Sequence, residues 1–181
     1  MKIKYNSPVI LTYSIISICV LIFCSGGVIA KYFSSPAHLS LTDPSFCFRL
    51  FSYIAGHGSW PHLTGNLMII LLVGPLLEEK YGSGKLLEMV LVTAITTALL
   101  NAFIFSNSLV GGSGIAFMLI LLSSFSNIKS GQIPLTFIII AVLFIGSEVI
   151  STIKIDKISQ FSHLAGGLIG AGYGFIRSDK R

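Results

Sequence analysis

The chain has 181 residues, 53% of them apolar and 10% charged, with a mean hydropathy of +0.86 and a net charge of +5. A soluble domain carries about a quarter charged residues and could not cover its surface with so few. Disordered chains are charge-rich and apolar-poor, so the same figures exclude disorder and leave a membrane-embedded domain.

The gaps between charges carry the architecture. Lys4 to Lys31 encloses 26 charge-free residues, Arg49 to Glu78 28, Glu88 to Lys129 40, Lys129 to Glu148 18, and Lys157 to Arg177 19. A helical crossing needs about 20 apolar residues at 1.5 Å each. The 40-residue stretch therefore holds two crossings and the others one each. The predicted spans, in chain order, are Val9–Phe33, His62–Leu77, Lys85–Phe105, Ser113–Asn127, Pro134–Ile153 and Phe161–Ile176. The runs are continuous, without the alternation of barrel strands, so helices are expected. The expected fold is an all-α membrane protein, a compact bundle of six transmembrane helices, with residues 1–181 forming one domain. The longest expected loop is Ser34–Trp60.

With the N-terminus inside, eight Lys and Arg residues fall on the inner side and four on the outer, which predicts N-in, C-in. The positive charge then answers to membrane lipid, and no nucleic acid is implied. Lys2 and Lys4 ahead of an apolar run ending at Val28-Ile29-Ala30 have some features of a cleaved signal. The run from Val9 to Ala30 exceeds a signal core, however, so a retained first helix is expected. Cys19 and Cys24 fall in that helix and Cys47 alone in the outer loop. None has a histidine at metal-ligand spacing, and neither a metal nor another cofactor is expected.

Three polar clusters interrupt the apolar spans, where polar groups tend to mark function. The first is His57-Gly58-Ser59-Trp60-Pro61-His62-Leu63-Thr64-Gly65-Asn66. Pro61 suits a first helical turn, and His62 and Asn66 then share one face at i and i+4. The second is Gly111-Gly112-Ser113-Gly114, inside the 40-residue stretch. Two full crossings would use that whole stretch, so a Gly-rich turn is expected to dip below the surface, with a shortened helix starting at Ser113. Ser113 is a candidate nucleophile, although Ile115 breaks the hydrolase elbow pattern. The third is Phe161-Ser162-His163-Leu164-Ala165-Gly166-Gly167, with Gly166, Gly170 and Gly174 at four-residue spacing. Each cluster has a bland alternative as interhelical packing glue or a small-residue contact. All three, however, open helices that start at the predicted outer face. A serine, a histidine and side-chain donors at one depth are the parts of a serine hydrolase.

His57-x4-His62-x3-Asn66, Gly111-Gly112-Ser113-Gly114 and His163-x2-Gly166-x3-Gly170, in this order, resemble the rhomboid intramembrane serine protease pattern. Phe48-Arg49 is similar to the family's Trp-Arg pair, and Glu78-x3-Gly82 to its Glu-x3-Gly turn. The compact layout resembles small bacterial members, which implies a multi-pass bacterial plasma-membrane protein with its site toward the outer face. The resemblance implies a Ser113–His163 dyad forming an acyl-enzyme, with His62, Asn66 and the Ser113 N–H as oxyanion donors. The substrates it implies are transmembrane proteins with helix-destabilised segments.

Phe117, one turn after Ser113, is a candidate to stack under His163, where family members commonly carry tyrosine. Gly111, Gly112, Gly114 and Gly166 are read as supporting residues, and His57 as a loop-holding or hydrating residue outside the apolar core. Glu148 falls late in the fifth span, to which the resemblance assigns substrate gating. The alternatives are an inactive rhomboid-like chaperone for membrane helices, which predicts loss of the serine or histidine, and a transporter, which predicts repeat symmetry and midplane polar groups.

Overall fold

A computed structural model describes residues 6–40, 42–105 and 107–128, together with residues 135, 138–139, 142–143, 146, 164, 167–170, 172–173 and 176. Every regular element among the described residues is helical: α1 (Pro8–Phe23), α2 (Gly26–Tyr32), α3 (Phe46–Ser52), α4 (Trp60–Tyr81), α5 (Ser83–Ile104) and α6 (Ser113–Ile128). A 3-10 turn at Tyr53–Ala55 joins α3 towards α4.

α4 and α5, each 22 residues, are long and apolar enough to cross a membrane. At 1.5 Å per residue each covers about 33 Å, the thickness of a hydrocarbon core. The described residues therefore supply two candidate spans, against the six expected. Most of Pro134–Ile153 and Phe161–Ile176 lies outside the described residues, as does Glu148.

Two sequence expectations are corrected. Val9–Phe33 is not one helix, because the backbone turns extended at Cys24 and a new helix starts after Ser25. Ser25 accepts from the Val28 N–H as an N-cap, and Gly26-Gly27 weaken any continuation of α1. The segment 34–60 is also not simply loop, since α3 and the 3-10 turn fold inside it. α3 buries Phe46 and leaves Phe48 and Phe51 exposed.

Burial is inverted relative to a soluble protein. On α4, Met68, Leu72 and Leu76 are 72%, 62% and 67% exposed, whereas Asn66 and Glu78 on the same helix are both 3% exposed. An apolar stripe facing outward with polar groups inward is the arrangement that a lipid surround favours.

α4 sits at the centre, packing against α1, α5 and α6. Its close approach to α1 uses Gly74, where an added Cβ would lie 2.5 Å from the tip of Ile10. Glu78 fixes the same pair: its Oε1 accepts from Val9 N–H at 2.9 Å and its Oε2 from Ile10 N–H at 3.1 Å. These amides belong to the first turn of α1, where no intrahelical acceptor exists and the helix dipole favours an acidic side chain. α4 passes to α5 through Gly82 alone, whose φ of +82° favours glycine.

Glu78→Ala is expected to strand the half-buried Val9 amide and the buried Ile10 amide and destabilise the protein by about 2–3 kcal/mol. Thermal unfolding in detergent should show Tm lowered by several degrees, with Glu78→Gln losing less. An unchanged Tm in Glu78→Ala would refute this role.

Candidate active site

The N-terminus of α4 follows from its local sequence. Ser59 Oγ accepts from the His62 N–H at 3.3 Å, and Pro61 occupies the first turn, where its missing N–H leaves no bond unmade. Thr64 Oγ1 donates back to the Trp60 carbonyl at 3.0 Å. The helix start thus fixed carries half-buried His62 and buried Asn66 one turn apart.

His57 belongs to the interior rather than the periphery, correcting the sequence expectation that it stands outside the apolar core. The residue is fully buried. Its Nδ1 lies 3.2 Å from the Ala55 carbonyl and its Nε2 3.2 Å from Asn66 Nδ2. The carbonyl requires a proton on Nδ1, so Nε2 is the lone pair that accepts from the Asn66 amide. One Asn66 N–H is thereby committed, and the orientation of the amide is set. The His57 and His62 rings meet edge-on with centroids 5.0 Å apart. Burial, and secondarily the neighbouring His62, pushes the His57 pKa down to about 4, against a weaker opposing effect of the Ala55 carbonyl.

The chain between α5 and α6 brings the glycines to these side chains. Gly111 has φ +118°, and a Cβ there would lie 2.7 Å from His62 Nε2 and 3.6 Å from Asn66 Nδ2. Only glycine allows both that backbone angle and that approach. Gly111 N–H donates to the Tyr53 carbonyl at 3.0 Å, and Gly112 O accepts from Ala116 N–H at 2.9 Å, making Gly112 the cap of α6. Ser113, 1% exposed, is the first residue of α6, followed by buried Gly114. The helix starts where the length of the charge-free stretch placed it.

The preceding turn is tied to the first loop. Ser35 N–H donates to the Leu109 carbonyl, and Leu109 N–H returns to Ser35 Oγ, both at 2.8 Å. Arg49 donates through Nε to Ser34 O at 2.9 Å and through Nη2 to Ser35 O at 3.0 Å, with Asp43 at 3.5 Å behind it. Two donations from Ser45, with Arg49 adding less, hold the Asp43 carboxyl below its usual range. Asn101 on α5 donates to Asn107 O at 2.6 Å.

Phe117 is buried one turn beyond Ser113, and a Cβ on Gly167 would lie 2.3 Å from its ring. Gly170 approaches Thr93 and Met118 in the same manner. His163 and Gly166 lie outside the described residues. A cavity of about 400 Å³ opens beside His57 and His62, walled by Cys24, Ile29 and Val110 where α1 breaks into α2.

The arrangement thus gathers His57, His62, Asn66, Gly111, Gly112 and Ser113. Sequence reasoning did not find Tyr13, Tyr53 or Ser35, which support the same turn. Tyr13 carried the one available signal, a hydroxyl-bearing aromatic inside an apolar run.

The His57 environment sets a pH dependence. An unfolded chain takes up the proton near 6.5, whereas the folded chain does so near 4. The stability from neutral His57 is therefore complete above about pH 6.5 and is lost as pH falls through about 4. Tm should decline across this window in the wild type. His57→Gln should start several degrees lower at pH 7 and show a flatter acid limb. Identical acid slopes would remove His57 as the titrating group.

The family model described as the Rhomboid domain matches residues 45–180. Rhomboid-related protein 1 of Caenorhabditis elegans is 28% identical over 140 residues, covering 71% of this chain and 39% of that protein. Rhomboid-like protein 15 of Arabidopsis thaliana is 28% identical over 145 residues, covering 71% of this chain and 36% of its own length. This chain thus spans less than two-fifths of either relative, and both are eukaryotic, so these matches give no support to the bacterial subtype. The match over most of the chain, on a helical frame with two candidate membrane spans, establishes that the chain belongs to the rhomboid family of membrane proteins.

Proposed function

We propose that this chain is an intramembrane serine endopeptidase with Ser113 as nucleophile and His163 as base. The observation that carries the reading is the Gly111 turn. It sets His62 and Asn66 against the backbone that leads directly into a buried serine at a helix start. The role given to His163, which lies outside the described residues, rests on the family resemblance and on its sequence spacing four and seven residues ahead of Gly167 and Gly170, which approach Phe117 and Met118 of α6 and Thr93 of α5.

In the proposed reaction Ser113 Oγ attacks the scissile carbonyl carbon while His163 takes the hydroxyl proton. The negative oxygen so formed receives hydrogen bonds from His62, Asn66 and the Ser113 N–H. His163 returns the proton to the leaving amine, and water then hydrolyses the acyl-enzyme by the same steps. His57 orients Asn66, and Phe117 offers the ring on which the imidazole rests. The proposal extends to a single six-helix domain over 1–181, N-in and C-in, acting on transmembrane protein substrates near the outer face. The Lys and Arg distribution supports the orientation. A bacterial plasma-membrane location rests only on the resemblance of the compact layout.

Cleavage of a model transmembrane substrate in liposomes tests this reading. Ser113→Ala and His163→Ala should abolish cleavage and fluorophosphonate labelling. Asn66→Ala should lower kcat by about 100- to 1,000-fold, the scale for an oxyanion donor. Full activity in Ser113→Ala would overturn the mechanism.

A further inference from the structure

Tyr13 lies on α1, outside every motif that identifies the family. Its hydroxyl nevertheless reaches the turn that carries the proposed nucleophile. Tyr13 Oη donates to the Ile54 carbonyl at 2.8 Å, across 41 residues of chain. A Cβ built on Gly112 would lie 2.0 Å from that same oxygen, 3.2 Å from Tyr13 Cζ and 3.4 Å from Ile54 O. The phenol therefore fills the place where residue 112 would otherwise carry a side chain.

The two glycines before Ser113 are thus held on opposite sides. Gly111 rests against His62, and Gly112 rests against Tyr13. The 3-10 turn completes the frame, because Tyr53 O accepts from Gly111 N–H while the adjacent Ile54 O accepts from Tyr13. Tyr53 is itself anchored by its hydroxyl to the Ala94 carbonyl of α5 at 3.1 Å. Gly112 has no left-handed backbone, so its lack of a side chain answers to the space occupied by Tyr13.

Building on the protease reading above, we propose that Tyr13 is a positioning residue for Ser113. Its hydroxyl wedges Gly112 towards His62 and Asn66 and fixes the start of α6. Removing the oxygen frees the Ile54 carbonyl and leaves slack on one side of the turn only. The nucleophile then loses register with the oxyanion donors, a displacement that acts on turnover more than on substrate capture.

The test uses the full chain in liposomes, a model transmembrane-segment substrate and a fluorophosphonate that reports Ser113 reactivity without substrate docking. Tyr13→Phe should lower kcat and the labelling rate together by about tenfold, with KM within about twofold. Gly112→Ala should be impaired more severely, because its methyl meets the phenol oxygen. Combining it with Tyr13→Phe should recover labelling at least about tenfold over Gly112→Ala alone, since the methyl takes the vacated place. Wild-type kcat and labelling in Tyr13→Phe, with Ser113→Ala inactive, would overturn this role while leaving the protease reading intact. Absence of rescue in the double variant would also overturn it. Loss of cooperative melting in Tyr13→Phe would assign the hydroxyl to folding and equally refute the proposal. An active Ser113→Ala would remove both.

Discussion

A buried stretch of backbone that is not helical must find its hydrogen bonds within the protein, and the turn ahead of Ser113 is such a stretch. Leu109 and Gly111 are buried outside any helix ladder, and Gly112 joins one only through its carbonyl, which caps α6. Leu109 is paired with Ser35 of the first loop and Gly111 with Tyr53 of the 3-10 turn, while Asn101 on α5 donates to the nearby Asn107 carbonyl. The first loop can serve only because Arg49 gathers Ser34 and Ser35. The first loop, the 3-10 turn and α5 thus all hold the connecting residues 107–112.

That shape decides what the polar residues of α4 can do. Asn66 alone in an apolar helix would be packing glue. With His57 accepting one of its N–H groups, its amide is oriented, and with Gly111 lacking a side chain the backbone comes within reach of it. The same economy applies to His62, which meets Gly111 on one side and the His57 ring on another. Preorganised donors next to a helix-capped serine are suited to charge that develops on an acyl oxygen, because little reorganisation is needed when it appears.

Much of this was legible in the sequence, for reasons that can be named. α4 and α5 announce themselves through long charge-free runs, and the i, i+4 relation of His62 and Asn66 follows from the helical period once Pro61 marks the start. The start of α6 came from length together with the Gly111-Gly112-Ser113-Gly114 run, since two crossings left no room for a turn and the glycines marked where one could form. The break between α1 and α2 was hidden because Ser25-Gly26-Gly27 is apolar enough to read as continuous helix, and only the Ser25 cap reveals it. α3 was missed because seven residues around an arginine carry no periodicity to detect. His57 was expected to hold the loop or a water from outside the apolar core, because its partner, Asn66, is brought to it by the fold rather than by sequence spacing. Tyr13 contributes through a contact 41 residues distant in sequence, which no local pattern encodes.

The one-residue connection at Gly82 gives the site a mechanical character. His62 stands 20 residues up α4 from that hinge, a lever of about 30 Å. A tilt of only about 2° at the hinge end moves the imidazole by about 1 Å, enough to disturb a reactive alignment. Gly82 itself is held through its backbone, its N–H donating to the Glu78 carbonyl at 2.8 Å and its carbonyl accepting from Leu86 N–H at 3.1 Å. Along its length α4 is held by packing against α1, α5 and α6. Membrane helices answer a change in bilayer thickness by tilting. Any such tilt of α4 would be carried along this arm to His62, against the packing of α1, α5 and α6.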